Sequence, residues 1–378
     1  MMVVISTGGT GGHITPALAV AQTLQSRAVD VVFAGTPDSM EERLVQAAGI
    51  SFQSFAARGL KRKKPLEWPA LAVQLMRSRS AARRWLLGVD PQVVATFGGY
   101  ASLPVGLAAN ALRLPLLVHE QNARPGLANR LLARRAGIIA LSDAAAQGGF
   151  RGQAQLVVTG NPLRNELFGI SQSQARGRLG LPMTGRLLLV FGGSSGAHHL
   201  NDAVLSLASG LLAEFADLTV MHISGEADYE WVNGQLDQAG IAADRWRVLA
   251  YCHQMGEAYA AADLVLARAG ASSLAEITAL GKAALLVPYP YAAADEQTAN
   301  AERLSSVGAA QVWADQDLEE PGFAELLKNL LADGSLREGL AAQAARLGRP
   351  DAAERIADLI MAMSAADGAG RWPESIEA

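Results

Sequence analysis

The stretch STGGTGGHITP, residues 6–16, follows a short apolar run and precedes a helical pattern. It places four glycines, one histidine and one proline in a single connection. A strand, then glycines, then a helix is the arrangement that holds an anion on helix N–H groups. The alternative is a tight turn needing positive φ, but the number of glycines and the presence of His13 exceed what a turn requires. The pattern is not a clean dinucleotide fingerprint, because Asp30 stands at the start of the next strand rather than beyond it. A Walker A motif is also absent, with no Gly-Lys-Ser/Thr. Dehydrogenase and ATPase readings both weaken.

Working outward, short apolar runs alternate with helical patterns. In the first half, strands are expected at Val3–Ser6, Asp30–Ala34, Ser51–Phe55, Val93–Phe97, Pro115–His119, Ile138–Leu141 and Leu156–Thr159. In the second they are expected at Leu187–Phe191, Thr219–Ile223, Arg247–Ala250, Leu264–Ala267, Ala284–Val287 and Ala310–Trp313. Such β-α alternation predicts parallel, doubly wound sheets. The pattern breaks at Gly160-Asn161-Pro162, so the chain divides into a first Rossmann-like domain at 1–162 and a second at 163–345. A C-terminal helix and frayed tail are expected over 346–378. The first strand-helix turn of each half carries GGxxG: Gly8-Gly9-Thr10-Gly11-Gly12 and Gly192-Gly193-Ser194-Ser195-Gly196. The α/β fold is therefore read as two nucleotide-fold halves with a ligand cleft between them.

The 378 residues carry a net charge of −4, which hides an asymmetry. Residues 1–162 have 17 basic and 8 acidic side chains, and the remainder 15 and 28. An anionic partner is expected for the first half only. Between Arg58 and Arg84 there are nine basic residues and one acidic. Lys61, Arg62, Lys63 and Lys64 precede Trp68, Leu71 and Leu75, which can share a helical face beside an anionic bilayer. Interleaved stacking aromatics are missing, so nucleic acid is not the expected partner. The single cysteine, Cys252, excludes an intramolecular disulfide and points to a cytoplasmic setting. Neither a signal peptide nor a membrane span is read in the chain.

Polar residues then collect where strands end. His119-Glu120-Gln121-Asn122 closes one strand of the first half and arrives at the edge that holds His13. In the second half, Arg268-Ala269-Gly270 leads into Ala271-Ser272-Ser273-Leu274-Ala275-Glu276. Ser272 is expected to cap that helix, whose N–H groups suit a phosphate, while Glu276 suits a ribose diol. Asp295 and Gln297 offer partners for sugar hydroxyls. Asp315-Gln316-Asp317 is the only Asp-x-Asp and reads as a helix-start cap.

GGTGGHITPALA, FGGYASLPVGLAA, HEQN, TGNPLR, FGGSSGA, RAGASSLAEI and DEQTANA occur in this order. Together they resemble the MurG family of peptidoglycan glycosyltransferases over about residues 2–345. The resemblance implies a glycosyltransferase-B architecture, two Rossmann-like domains with the active site in the cleft. It implies transfer of N-acetylglucosamine (GlcNAc) from UDP-GlcNAc to undecaprenyl-diphospho-N-acetylmuramic acid (MurNAc)-pentapeptide (lipid I), giving lipid II and UDP. The family's donor site maps onto Thr10, Gly11, Gly12, Asn122, Arg164, Ser194, Cys252, Ala271–Glu276 and Gln297. Ser195 and Glu296 depart from the family pattern, which commonly has glutamine at the first position. An α-linked donor and a β-linked product imply inversion, with His13 as the first choice of base and Glu120 with His119 as the second. No obligatory metal or other cofactor is expected. The implied location is peripheral, on the cytoplasmic face of the bacterial inner membrane.

Overall fold

The computed structural model describes residues 1–8, 11–58, 68–193, 196–292 and 295–365. The chain forms two compact units, Met1–Arg164 with Pro350–Ala378, and Asn165–Arg349.

The first unit is built on β1 Met2–Ser6, β2 Asp30–Gly35, β3 Ser51–Ser54, β4 Val93–Thr96, β5 Leu116–Glu120, β6 Ile138–Leu141 and β7 Gln155–Val158. They form one parallel sheet in the order β3-β2-β1-β4-β5-β6-β7. The second unit uses β8 Arg186–Phe191, β9 Leu218–Ile223, β10 Trp246–Leu249, β11 Leu264–Ala267, β12 Ala284–Leu286 and β13 Gln311–Val312. Its parallel order is β10-β9-β8-β11-β12-β13. Both sheets reverse their winding beside the first strand, at β1/β4 and at β8/β11. In such folds that reversal opens a crevice at the carboxyl ends of the strands.

The strands read as continuous apolar runs because helices bury both faces. Along β1, Val3 and Ile5 face one core, with Ala17, Leu24, Ile356 and Ile360. Val4 faces the other, with Leu86, Val105 and Leu132. A second-unit core gathers Leu188, Val190, Val220 and Trp246.

The C-terminal segment differs from the expectation of a separate piece. Residues up to 349 remain with the second unit, and the helix Ala352–Ala365 returns to the first. Its Ile356, Ile360 and Met363 lie a turn apart on one face and complete the core over β1. Residues 366–378, read as a frayed tail, lie outside the described residues.

The helix Gly11–Ser26 also begins earlier than its apolar periodicity indicates, inside the glycine stretch. Pro16 sits within it, where the missing N–H leaves the preceding turn one bond short. No helix among the described residues is long and apolar enough to cross a membrane.

Candidate active site

At the carboxyl edge of the first sheet, β1 runs into the glycine stretch and β4 into Phe97-Gly98-Gly99. Thr7 Oγ1 donates to the carbonyl of His13 at 3.0 Å and fixes the first helical turn. Gly99 has φ +76°, and a Cβ there would stand 1.8 Å from the Gly8 carbonyl oxygen. A Cβ at Gly98, φ +81°, would stand 2.7 Å from His13 Cδ2. The imidazole therefore packs directly on bare backbone. Burial lowers the His13 pKa to about 4. The ring is thus neutral, the proton-accepting form, at neutral pH.

β5 delivers His119 and Glu120 to the same edge. His119 is fully buried, its ring centroid 5.1 Å from that of Phe97. Its Nε2 lies 3.4 Å from Gly160 O and 3.3 Å from Ser142 Oγ. Burial drives its pKa down to about 3, opposed by the hydrogen bond to Gly160. Glu120 is 2% exposed. Its carboxylate accepts from Asn122 N at 3.0 Å, Gly126 N at 2.9 Å and Asn129 Nδ2 at 2.9 Å. Burial pushes its pKa up, and these bonds oppose the shift. Asn129 Nδ2 also donates to His119 O at 2.9 Å. Gln121 Nε2 reaches Phe97 O at 3.1 Å, tying the β5 loop to the β4 loop. Asn122 and, further along the chain, Arg164 are half-buried.

At the corresponding edge of the second sheet, the turn after β8 is equally tight: a Cβ at Gly192 would stand 2.4 Å from Ala197 Cβ. After β11 the helix Ala271–Ala279 starts at once, with Gly270 as N-cap and no side-chain cap bond. The first-turn N–H groups of Ala271, Ser272 and Ser273 precede the first intrahelical bond, from Leu274 N to Gly270 O at 3.0 Å. Half-buried Glu276 accepts from the Tyr259 hydroxyl at 2.8 Å. Burial, then the charges of Glu276 and Cys252, raise the Tyr259 pKa, so it remains a donor. Cys252 itself is buried behind β10, and burial raises its thiol. Gln297, in the first turn of the helix Glu296–Ser306, accepts from Tyr289 N at 2.9 Å through Oε1.

Residues 3–140 match the glycosyltransferase family 28 N-terminal domain, and residues 187–356 its C-terminal domain. A protein of Halothermothrix orenii, 36% identical over 95% of this chain and 98% of its own, is a "UDP-N-acetylglucosamine--N-acetylmuramyl-(pentapeptide) pyrophosphoryl-undecaprenol N-acetylglucosamine transferase". One of Xylella fastidiosa with the same name is 40% identical over 95% of each chain. The crystal structure of Acinetobacter baumannii MurG has a TM-score of 0.75 at 29% identity, over 95% of this chain and 99% of that one. The chain belongs to the MurG family. Its two parallel α/β units are accordingly those of the MurG glycosyltransferase-B fold, and the chain is a glycosyltransferase of family 28.

Within the MurG scaffold several expectations need correction. Of the second-choice bases, His119 is sealed among Phe97, Ser142 and Gly160, and both oxygens of Glu120 accept bonds from the 121–129 loop. They shape the edge on which His13 stands. Leu274 is 4% exposed and uses its N–H within the helix, so it belongs to the core. Ser272 does not cap its helix, since the backbone at Gly270 does. Asp315 is not a helix-start cap. Its carboxylate pairs with Arg268 and with His199 Nδ1, the latter at 3.0 Å. Thr10, Ser194, Lys61, Arg62, Lys63 and Lys64 lie outside the described residues. Trp68 is 45% exposed and Leu71 and Leu75 are half-buried, with Val73 and Met76 the more exposed neighbours. Asn129, Tyr259 and Arg268 also support the two edges. Only Arg268 carries a sequence signal, its place immediately after an apolar strand.

The buried histidines make stability depend on pH. His13 and, on β9, His222 are lowered by burial to about 4, and His119 to about 3, from 6.5. The unfolded chain takes up these protons below about pH 6.5, while the folded chain resists. Their contribution is complete above about pH 6.5 and is lost as pH falls towards about 4. The urea midpoint should therefore drop between about pH 7 and about pH 5. A midpoint that holds or rises on acidification would contradict the neutral assignment.

Proposed function

We propose that this chain transfers GlcNAc from UDP-GlcNAc to the 4-hydroxyl of MurNAc in lipid I, with inversion, forming lipid II and UDP. The observation that carries the reading is the end-to-end likeness to MurG relatives, 36% and 40% identical over 95% of the chain. The carboxyl edges of the two sheets are consistent with a division of labour. The second edge takes the donor: Gly192–Ala197 and the Ala271 helix start hold the diphosphate, Glu276 the ribose, the backbone at Cys252 the uracil, and Gln297 the sugar. Ser194, Asn122 and Arg164 join them. The first edge takes the lipid I diphosphate and sugar on Gly11 and Gly12, with Thr10 to Gly12 also touching the donor sugar.

In the transfer, the MurNAc 4-oxygen attacks C1 of GlcNAc on the face opposite UDP. The C1–O bond to the diphosphate breaks through an oxocarbenium-like transition state, and His13 accepts the hydroxyl proton. Charge developing on UDP falls on helix N–H groups already pointed at it, which costs no reorganisation. No metal is required by this scheme. In this reading the enzyme works peripherally on the cytoplasmic face of the plasma membrane, held by the basic segment Lys61–Lys64 with Trp68, Leu71 and Leu75.

Labelled GlcNAc should pass from UDP-GlcNAc to a lipid I analogue, in EDTA as well as without it, and UDP-GalNAc should compete poorly. Absence of transfer removes the assignment, and loss in EDTA alone removes only the metal-free scheme. His13→Ala should lower kcat by at least ~100-fold while UDP-GlcNAc binding stays nearly intact. A kcat near that of the parent would end its role as base. Reversing Lys61, Arg62, Lys63 and Lys64 to glutamate should abolish sedimentation with anionic vesicles, and unchanged sedimentation would sink the membrane reading.

A further inference from the structure

The second unit contains a buried ionic device that the donor reading leaves unused. It starts at Asp315, just beyond β13. Trp313 fixes that connection, its N donating to Leu286 O at 2.9 Å and its Nε1 to Asp317 O at 2.8 Å. The Asp315 side chain is 11% exposed and meets Arg268 through one oxygen and His199 Nδ1 through the other. Arg268 is itself buried, at the end of β11. Its Nη1 donates to Val287 O at 3.2 Å and Pro288 O at 3.3 Å, and its guanidinium lies 5.6 Å from the Tyr289 ring centroid. The next backbone N–H, that of Tyr289, is the one that holds Gln297 Oε1.

We propose that Asp315 is a positioning residue for the donor sugar, acting through Arg268 on the loop that sets Gln297. The proposal rests on the reading of the second unit as the UDP-GlcNAc side. The Tyr289 N–H requires an acceptor, so it fixes the oxygen of the Gln297 amide and turns the amide nitrogen away, free to donate. Arg268 reaches both carbonyls and the carboxylate through Nη1, while its planar guanidinium covers the Tyr289 ring, a surface that a lysine ammonium does not reproduce. Without the carboxylate the guanidinium is a buried charge with no counterion, which shifts rather than staying in place. The effect falls on the sugar. UDP lacks the group that Gln297 would touch.

The test compares UDP-GlcNAc with UDP on the full chain by calorimetry and by steady-state transfer. Asp315→Asn should weaken UDP-GlcNAc about tenfold, the scale of one well-placed hydrogen bond, and leave UDP within about twofold. The KM for UDP-GlcNAc should rise with kcat little changed, the mark of lost uniform binding. Asp315→Glu should recover part of the loss. Arg268→Lys keeps the charge but not the planar group over Tyr289 and should show the same selective defect, so it supplies the answer if Asp315→Asn fails to fold. Equal weakening of UDP and UDP-GlcNAc, or no weakening, overturns the proposal. Failure of the parent chain to bind UDP-GlcNAc removes the donor reading and the proposal with it.

Discussion

The first unit's working edge depends on a contact that contains no side chain. The carbonyl of Gly8 lies where a Cβ of Gly99 would be, 1.8 Å from it. β1 and β4 are neighbours, and the winding reverses between them. Their loops leave the sheet together and must cross at backbone distance. Only glycine at the crossing allows this. With the loops so close, Gly98 passes under the His13 ring, and the histidine on the first helical turn is held by backbone from two strands. A side chain at either position would separate the loops, and His13 would move with them.

The two edges use the same topology for opposite electrostatic ends. In the first, burial strips histidines of charge and pushes the Glu120 carboxyl up, while three donors cover that carboxyl. The edge therefore offers a neutral proton acceptor in a basic half of the sequence. In the second, N–H groups at a helix start supply positive potential in an otherwise acidic half, and the buried guanidinium of Arg268 is balanced by Asp315. The asymmetry in composition thus describes the surfaces, while each edge is tuned locally by burial. A nucleotide diphosphate and a sugar hydroxyl ask for these two environments.

Much of this was legible in the sequence. All thirteen strands were placed within about a residue or two of their positions, because doubly covered parallel strands write themselves as apolar runs between glycines. The second GGxxG made the repeat visible, and the sheet orders bear it out. The site residues at strand ends were found for the same reason. Their roles were less legible. Whether His119 meets solvent depends on Phe97 and Gly160, far from it in sequence. Whether Glu120 is free depends on Asn129, on a later helix. Asp315 looked like local capping chemistry, yet its partners Arg268 and His199 come from two other connections. The start of the helix Gly11–Ser26 is not legible because glycine lowers helical propensity, and tertiary contacts override it here.

The return of the helix Ala352–Ala365 to the first unit has a consequence for how the protein is made. The second unit is one uninterrupted segment, Asn165–Arg349, and emerges from the ribosome complete. Most of the first unit precedes the second in the chain, yet the face of β1 that holds Val3 and Ile5 is covered in part by Ile356 and Ile360. That cover is synthesised only after the whole second unit. The sheet that is translated first must therefore wait, with one apolar face partly open, through the synthesis of the whole second unit. Vectorial synthesis is inverted here: the first unit is completed after the second, and the exposed layer in the interim is the kind of surface chaperones hold.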